Sequence, residues 1–271
     1  MNICAATNVL TLPDVQSRPD DRDLGIEAAG IRGVRVPVKI RAGEMSLSTV
    51  ATFTMSVGLA AAAKGTHMSR FLELLESQTR TIDQRTFKAM MLEMLERLGA
   101  RTGAIEMTFP YFLTKTAPVS RAQSLLDYEV SWRGRVTEKE QYSFWMQVSV
   151  PATSLCPCSK EISAYGAHNQ RSLIRVEVEA TGDITIDALI AAVERSASCE
   201  VFSLLKRADE KFVTERAYEN PKFAEDLVRD VALELNKLAA IGHYAIEAEN
   251  FESIHNHSAF ARLTRVAGTA S

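Results

Sequence analysis

The amino-acid sequence predicts an α+β protein made of two tandem halves. Each half contains two strand patterns, then two helix patterns, then two further strand patterns, although no residue-level repeat is visible. Most connections between strands are short enough for hairpins or modest loops, which favours antiparallel sheets. At 271 residues, the chain is long enough for two domains or one large one. We expect a tail at 1–31, a first half at 32–136 and a second half at 137–271.

The tail and the first strands are predicted from composition and alternation. Residues 1–31 contain two prolines and four aspartates, with little apolar periodicity, so this segment is expected to be flexible. A strand-rich stretch follows over 33–59. Valines alternate with other residues at its start, and 50–57 is rich in Thr, Val and Phe, which is typical of strands.

Two helices and two strands complete the first half. One helix presents an apolar face formed by Phe71, Leu74 and Leu75. The next is expected to be capped by Asp83 and to end at Gly99. Apolar side chains then alternate in two strands, at 105–111 and 128–132.

The second half shows the same succession of patterns. A long helix is predicted to begin at Asn220 and Pro221, because asparagine caps helices and proline is favoured at the first helical position. The other segments are strands at 142–150 and 173–178, a helix at 186–193, and final strands at 244–251 and 258–266.

Charge and hydropathy exclude several classes of protein. The chain has 31 Lys plus Arg and 34 Asp plus Glu, so its net charge of −3 argues against a polybasic nucleic-acid binder. No apolar run reaches the roughly 18 residues of a membrane-spanning helix, and no basic residue precedes Arg18, as a signal peptide would require. We therefore expect no nucleic-acid partner, no membrane association and a cytoplasmic location, where cysteines more often bind metal or react than form disulfides.

The most informative segment is 154–171, a predicted loop between two strands. It contains Cys156, Cys158 and His168, and thiolate with imidazole suits Zn²⁺ or another divalent transition metal. The Cys-x-Cys spacing is not the usual zinc-knuckle spacing, so two packed cysteines and a hydrogen-bonded histidine remain an alternative. Pro157 favours a site, because it restricts the directions of the two thiols.

Two further clusters each allow two interpretations. Glu252, His255 and His257 could supply ligands or general acid–base groups, or could form an ordinary polar turn. Lys64 and Arg70 lie in a strand-to-helix junction that could bind phosphate or could simply be solvated. Neither a P-loop nor a GxGxxG motif is present in the sequence.

Several of these segments resemble GTP cyclohydrolase I of type B, a prokaryotic family. The resemblance runs from about residue 33 to the C-terminus and implies the tunnelling fold. In that fold, two modules each form an antiparallel sheet with two helices between the second and third strands. It also implies a homotetramer with active sites at subunit interfaces. The resembling stretches are 49–55, 64–71, 154–161, 165–172 and 252–257.

The activity implied by the resemblance is the conversion of GTP and water to 7,8-dihydroneopterin triphosphate and formate, which opens tetrahydrofolate synthesis. The implied metal ligands are Cys156, His168 and Glu210, and the metal could be Zn²⁺, Mn²⁺ or Fe²⁺. The implied catalytic residues are Cys156, Cys158, Glu252 and His255. In the mechanism we envisage, His255 transfers a proton to guanine N7 while water activated by the metal attacks C8.

Substrate-binding residues also follow from the resemblance. Glu225 falls where the family holds the purine, although by itself it would be interpreted as a solvated carboxylate near a helix N-terminus. A carboxylate there can accept hydrogen bonds from guanine N1–H and the 2-amino group, which adenine cannot offer together. The candidates for the triphosphate are Lys64, Arg70, Arg171 and Lys206.

Two other functions remain possible from the sequence. A sister group with the same fold reduces a nitrile with NADPH, which would make Cys156 or Cys158 a covalent nucleophile. Alternatively, the cysteines and His168 could form a closed structural zinc site in an interaction protein.

Overall fold

The computed structural model describes residues 13–43, 45–78 and 80–266, which form one antiparallel sheet with its helices packed on one face. The strands are β1 (Ile26–Ala42), β2 (Met45–Leu59), β3 (Gly103–Thr116), β4 (Gln123–Val136), β5 (Tyr142–Leu155), β6 (Asn169–Ala180), β7 (Cys199–Glu200), β8 (Ile241–Asn250) and β9 (Ala259–Arg265). The helices are α1 (Met68–Glu76), α2 (Gln84–Leu98), α3 (Pro157–Ile162), α4 (Ile186–Ser196), α5 (Arg207–Glu219) and α6 (Ala224–Leu235).

The two predicted halves meet in the hairpin between β4 and β5. The strand order is β1-β2-β3-β4-β5-β6-β8-β9, with the short β7 paired to β5. Val136 faces Tyr142 across the β4–β5 pair, so the ladder continues from one half into the other. Buried residues of both halves also belong to one hydrophobic cluster. The halves therefore share a sheet and a core.

The core follows from the alternation seen in the strands. Buried Phe53 and Met55 alternate with half-buried Thr52 and Thr54 along β2, so one face of the sheet is apolar. Trp132 lies at the centre of the first half, and three aromatic rings meet it edge-on at centroid distances of 5.5–5.9 Å: Phe87, Phe109 and Phe144.

Both predicted ends of α2 are confirmed. The Asp83 carboxylate accepts a hydrogen bond from the Thr86 N–H at 2.8 Å, and the Thr86 hydroxyl accepts one from the Asp83 N–H at 2.7 Å. This reciprocal pair is a capping box. The helix ends at Gly99, which adopts the left-handed conformation with φ of 61°.

The predicted tail is too long at its C-terminal end. Strand β1 already begins at Ile26, which pairs with Leu59 of β2. Before it, Pro19 bridges to Ala63, and the Asp20 N–H donates to the Ala62 carbonyl at 3.0 Å. Composition could not reveal this, because the pairing partner lies more than thirty residues away in the sequence. Residues 1–12 of the predicted tail lie outside the described residues.

The second half departs from the expected pattern between β6 and β8. A helix was predicted to begin at Asn220, but α6 begins at Ala224 and Asn220 ends a preceding helix, α5. The sequence did not indicate α5, because its only fully buried residues are Asp209 and Ala217 and it therefore lacks an apolar stripe. The second half thus carries a third helix in this connection, together with β7.

Because the strands are antiparallel, the candidate site residues in the loops lie at two opposite ends of the sheet. Strands β5 and β8 finish, and β6 and β9 start, at one end, which we call the Cys156 end. Strand β2 finishes and β3 starts at the other, which we call the Lys64 end because the loop after β2 contains that residue. None of the helices in the described ranges is both long and apolar enough to cross a membrane.

A buried ionic cluster joins the two halves near the Cys156 end. The Lys115 ammonium on β3 lies 2.6 Å from the Glu194 carboxylate on α4 and 3.2 Å from Glu200 on β7. The Tyr128 hydroxyl donates to Glu194 at 2.7 Å. Burial and the neighbouring Glu194 carboxylate raise the pKa of Tyr128 well above its usual range. The cluster therefore pairs charges contributed by both halves.

Candidate active site at the Cys156 end of the sheet

The candidate site begins where β5 and β6 separate. Cys156 follows β5 directly and its N–H donates to the carbonyl of His168, which precedes β6, at 3.1 Å. This continues the ladder register in which Leu155 faces Asn169. Directly opposed residues in an antiparallel pair have their side chains on the same face, about 5 Å apart at Cβ. Strand register therefore places Cys156 directly opposite His168.

A short loop connects these two residues and includes the six-residue helix α3. Its second cysteine, Cys158, is exposed, whereas Cys156 is half-buried. The Ser159 hydroxyl accepts a hydrogen bond from the His168 N–H at 3.1 Å and closes the loop. Lys160 donates to the Tyr218 carbonyl, which ties the loop to the end of α5. The positions of both thiols therefore depend on local hydrogen bonds.

The imidazole of His168 has two oxygen neighbours at one nitrogen. Its Nδ1 lies 2.8 Å from Oε1 of Gln170 and 3.7 Å from Oε2 of Glu252. With Oε1 of Gln170 as the acceptor and the Glu252 carboxylate nearby, the proton of the neutral ring is assigned to Nδ1. Nε2 then keeps its lone pair and can act as a metal ligand.

A buried polar network underlies the site. The Ser172 hydroxyl donates to Oδ1 of Asn250 at 2.7 Å, and the Ser154 hydroxyl donates to the Lys222 carbonyl at 2.7 Å. Asn250 Nδ2 lies 3.4 Å from the Ser154 hydroxyl and joins the two pairs. This network places the start of α6 beside the end of β5. Glu225 lies exposed in the first turn of that helix, at the Cys156 end.

Glu210 also lies at this end of the sheet, but at the start of α5. Tyr218, which contacts the Cys156 loop, is eight residues further along the same helix, a separation of about 12 Å. Within the described part of the chain, no group of three or more His, Cys, Asp or Glu side chains is placed to hold a metal. One chain therefore brings Cys156 and His168 together without Glu210.

The four basic residues proposed for the triphosphate are dispersed. Lys64 is exposed at the Lys64 end, and Arg70 near it donates to the Arg97 carbonyl at 2.9 Å. The fourteen residues of β5 run between the two ends, a length of about 46 Å. Arg171 alternates with buried Gln170 and so lies on the other face of the sheet from His168, whereas exposed Lys206 precedes α5.

The second predicted cluster lies in the loop between β8 and β9. Glu252 faces His168, as described above. His255 and His257 are both exposed, and their rings stack with centroids 5.1 Å apart. Register brings the Glu252 carboxylate to the first cluster, because the Phe251 N–H donates to the Arg171 carbonyl at 2.9 Å beside the start of β6.

Comparison with known proteins connects this arrangement to one family. A family model described as type I GTP cyclohydrolase FolE2 matches residues 12–261. The chain belongs to the FolE2 family. It is 56% identical over 255 residues to the GTP cyclohydrolase FolE2 of an Azoarcus species, covering 94% of this chain and 95% of that one. It is 55% identical over 254 residues to that of Cupriavidus necator, covering 94% and 95%.

Solved structures confirm the predicted tunnelling fold. Uricase from Arthrobacter globiformis matches with a TM-score of 0.50 over 92% of this chain and 96% of that chain, at 8% identity. A hyper-thermostable AgUricase mutant gives a TM-score of 0.53 over 92% and 94%, also at 8% identity. At such low identity, these matches show only that this FolE2 family member shares the fold of the uricases.

The sequence analysis missed two residues that support this FolE2-family site. Gln170 lies two residues after His168 on a strand, and that spacing alone places both side chains on one face. Asp209 is fully buried beside exposed Glu210. It accepts hydrogen bonds from the N–H groups of Val119 and Ser120, both at 2.8 Å, and from the Ser120 hydroxyl. Asp209 therefore fixes the start of α5 against the β3–β4 turn.

Replacing Asp209 by Asn should destabilise the protein in a pH-dependent way. Burial by itself would raise the pKa of Asp209, but the hydrogen bonds from Ser120, Lys206 and Val119 outweigh it and hold the pKa well below its usual range. The carboxylate therefore contributes stability above the unfolded pKa of about 3.9, and this contribution disappears as pH falls through the lower folded value. We expect the variant to melt several degrees lower at pH 7.

Thermal unfolding of both proteins from pH 7 to pH 3 checks this expectation. The difference in melting temperature should begin to narrow below about pH 4, because the stability contributed by the wild-type carboxylate starts to decline once pH falls below the unfolded pKa. Glu215→Gln is the control, because Glu215 is exposed and pairs with Lys211 on the same helix. Equal stability of Asp209→Asn and wild type at pH 7 would contradict the anchoring role.

Proposed function

We propose that this chain hydrolyses GTP to 7,8-dihydroneopterin triphosphate and formate, as the first step of tetrahydrofolate synthesis. The observation that carries the proposal is the pairing of Cys156 with His168 at the Cys156 end, in a member of the FolE2 family. The relatives it matches are GTP cyclohydrolases by name and cover nearly the whole chain.

The donor set fits a divalent metal. Cys156 supplies a soft thiolate and His168 an imidazole whose Nδ1 is already engaged, which leaves Nε2 as the donor. Glu210 from a neighbouring copy would add a carboxylate. This set suits Zn²⁺ and also accepts Mn²⁺ or Fe²⁺. A bound divalent cation acts as a Lewis acid and makes water a better nucleophile near neutral pH.

The chain's own residues then bind the base and move protons. Glu225 accepts hydrogen bonds from guanine N1–H and the 2-amino group, so adenine is rejected. His255 gives a proton to guanine N7 as C8 is attacked, since a histidine can be protonated near neutral pH. Cys158 presents an exposed thiol beside the reacting base. Glu252 lies beside the His168 ring. It also precedes His255 by three residues and can exchange protons with that histidine.

We propose that the sites form between copies of this chain in a homotetramer. Large apolar side chains are exposed around the Cys156 end, at the end of α3, in the α3–β6 loop, in the β8–β9 loop and on β9: Ile162, Tyr165, Ile254 and Phe260. Clustered apolar surface of this kind is typical of contact surfaces. The distance between Cys156 and the Lys64 end also means that Lys64 and Arg70 can reach a triphosphate bound at the Cys156 end only from another copy.

Metal removal and restoration test the proposed function. Protein stripped with a chelator should release no formate from GTP. Adding Zn²⁺, Mn²⁺ or Fe²⁺ should restore formate and pterin in equal amounts, read by formate assay and by fluorescence of the oxidised pterin. Cys156→Ala should stay inactive with every metal, because one soft ligand is lost. Folded wild-type protein that releases no formate with any of the three metals would contradict the proposal, and NADPH oxidation with a nitrile substrate would then indicate the reductase.

A further inference from the structure

Gln170 is a buried residue whose side chain faces the imidazole of His168. Only 6% of Gln170 is exposed, and its Oε1 lies 2.8 Å from Nδ1 of His168. It is the second residue of β6 and lies opposite Ser154, on the face of the sheet that carries the helices. A buried amide needs hydrogen-bond partners, and the His168 ring is the partner that the structure provides for Oε1.

The orientation of the amide decides which ring nitrogen carries the proton. If Oε1 faces the ring, Nδ1 is protonated and Nε2 is free; if the amide NH₂ faced it, Nδ1 would have to accept. Glu252 favours the first arrangement, because its negatively charged Oε2 lies 3.7 Å from the same Nδ1 and attracts a proton there. Both neighbours therefore favour the tautomer with hydrogen on Nδ1.

We propose that Gln170 is a positioning residue that prepares His168 for metal binding. It holds the ring in the Nδ1–H tautomer and in one orientation, so that the lone pair of Nε2 is available before the metal arrives. Glu252 lies beyond hydrogen-bond distance of Nδ1, so Gln170 is the residue that makes the direct hydrogen bond to the ring. This inference rests on the metal site of the proposed function but not on the reaction carried out there.

The affinity for Zn²⁺ provides the test, measured on the full-length chain by competition with a chromophoric chelator. Gln170→Leu should weaken Zn²⁺ binding by about 10–100-fold, the usual cost of losing an outer partner of a metal-binding histidine. Gln170→Glu should restore binding, because a carboxylate also accepts from Nδ1–H. The matched control is Gln84→Leu, because the Gln84 amide donates to the Ile184 carbonyl at 2.7 Å and neither residue contacts His168.

Each possible result either supports or overturns the proposed role of Gln170. Wild-type Zn²⁺ affinity in Gln170→Leu would overturn it, as would an equal loss of affinity in Gln84→Leu. If Gln170→Leu does not fold, ¹⁵N NMR of histidine-labelled wild-type protein without metal decides instead: an Nε2–H tautomer at His168 would overturn the proposal, and an Nδ1–H tautomer would support it. If Zn²⁺ affinity responds as expected while GTP releases no formate, the proposed reaction fails and the role of Gln170 stands.

Discussion

Two inactive variants, Cys156→Ala and Glu210→Gln, should recover GTP turnover when their subunits are mixed. Each variant alone is expected to lose at least about 100-fold in turnover, because each lacks one ligand of the proposed metal site. If that site takes Cys156 and His168 from one copy and Glu210 from another, a mixed pair contains one complete site and one doubly defective site. Random exchange of subunits between equal amounts of the two variants makes one site in four complete. The mixture should therefore show about one quarter of wild-type turnover.

The geometry behind this expectation is the separation of Glu210 from the Cys156 loop within one chain. Glu210 occupies the start of α5, and the far end of that helix contacts the loop through Tyr218. Asp209 fixes the start of the helix to the β3–β4 turn, so the position of Glu210 is set by that turn and not by the Cys156 loop.

A second mixture provides the matched control. A mixture of the Cys156→Ala and His168→Ala variants should recover no GTP turnover. Both ligands come from the same copy, so every site in the mixture lacks one of them. Subunit exchange is confirmed by mass spectrometry of differently tagged chains. If exchange is complete and the Cys156→Ala and Glu210→Gln mixture stays inactive, Glu210 does not act across the interface.

Lys115→Met should destabilise the fold by about 3–5 kcal/mol, the usual cost of leaving a buried charge without its partner. The Lys115 and Glu194 side chains are only 11% and 10% exposed, and their charged atoms lie 2.6 Å apart. Methionine fills much the same volume but leaves the Glu194 carboxylate with only the Tyr128 hydroxyl. The free energy of unfolding is measured by urea titration at one fixed protein concentration.

Two further variants show whether burial of the charge causes this loss. Lys211→Met should change the free energy of unfolding by no more than about 0.5 kcal/mol, because the Lys211–Glu215 pair is exposed on one helix. The double variant Lys115→Met with Glu194→Leu should regain part of the loss, since an apolar pair leaves no buried charge. A cost below about 1 kcal/mol for Lys115→Met would mean that Glu194 is solvated after substitution.

The ionic cluster is also connected to the candidate active site, because it includes a residue of β7 and β7 pairs with β5. Cys199 of β7 pairs with Thr153 of β5, three residues before Cys156, and its carbonyl accepts from the Thr153 hydroxyl at 2.8 Å. Glu200, the other residue of β7, contacts Lys115. We therefore expect Lys115→Met to loosen the end of β5 as well as to lower overall stability.

The local patterns of the sequence predicted the parts of the fold that local physics controls. Asp83 and Gly99 mark the ends of α2 because a cap and a left-handed residue act within a few positions of the helix terminus. The strands followed from alternation, because one face of the sheet is buried. Helix α5 and the start of β1 were missed, since the first is held by a buried aspartate and the second by pairing with distant β2.

For the site, the sequence by itself determined which chemical groups are present, in a chain that belongs to the FolE2 family. Only the tertiary structure decided which groups meet. Strand register placed His168 opposite Cys156 and Gln170 within hydrogen-bond distance of its Nδ1, while antiparallel pairing placed Lys64 at the far end of the sheet. The physical reason is that side-chain types are local properties, whereas proximity depends on hydrogen-bonded pairing between segments that are distant in the chain.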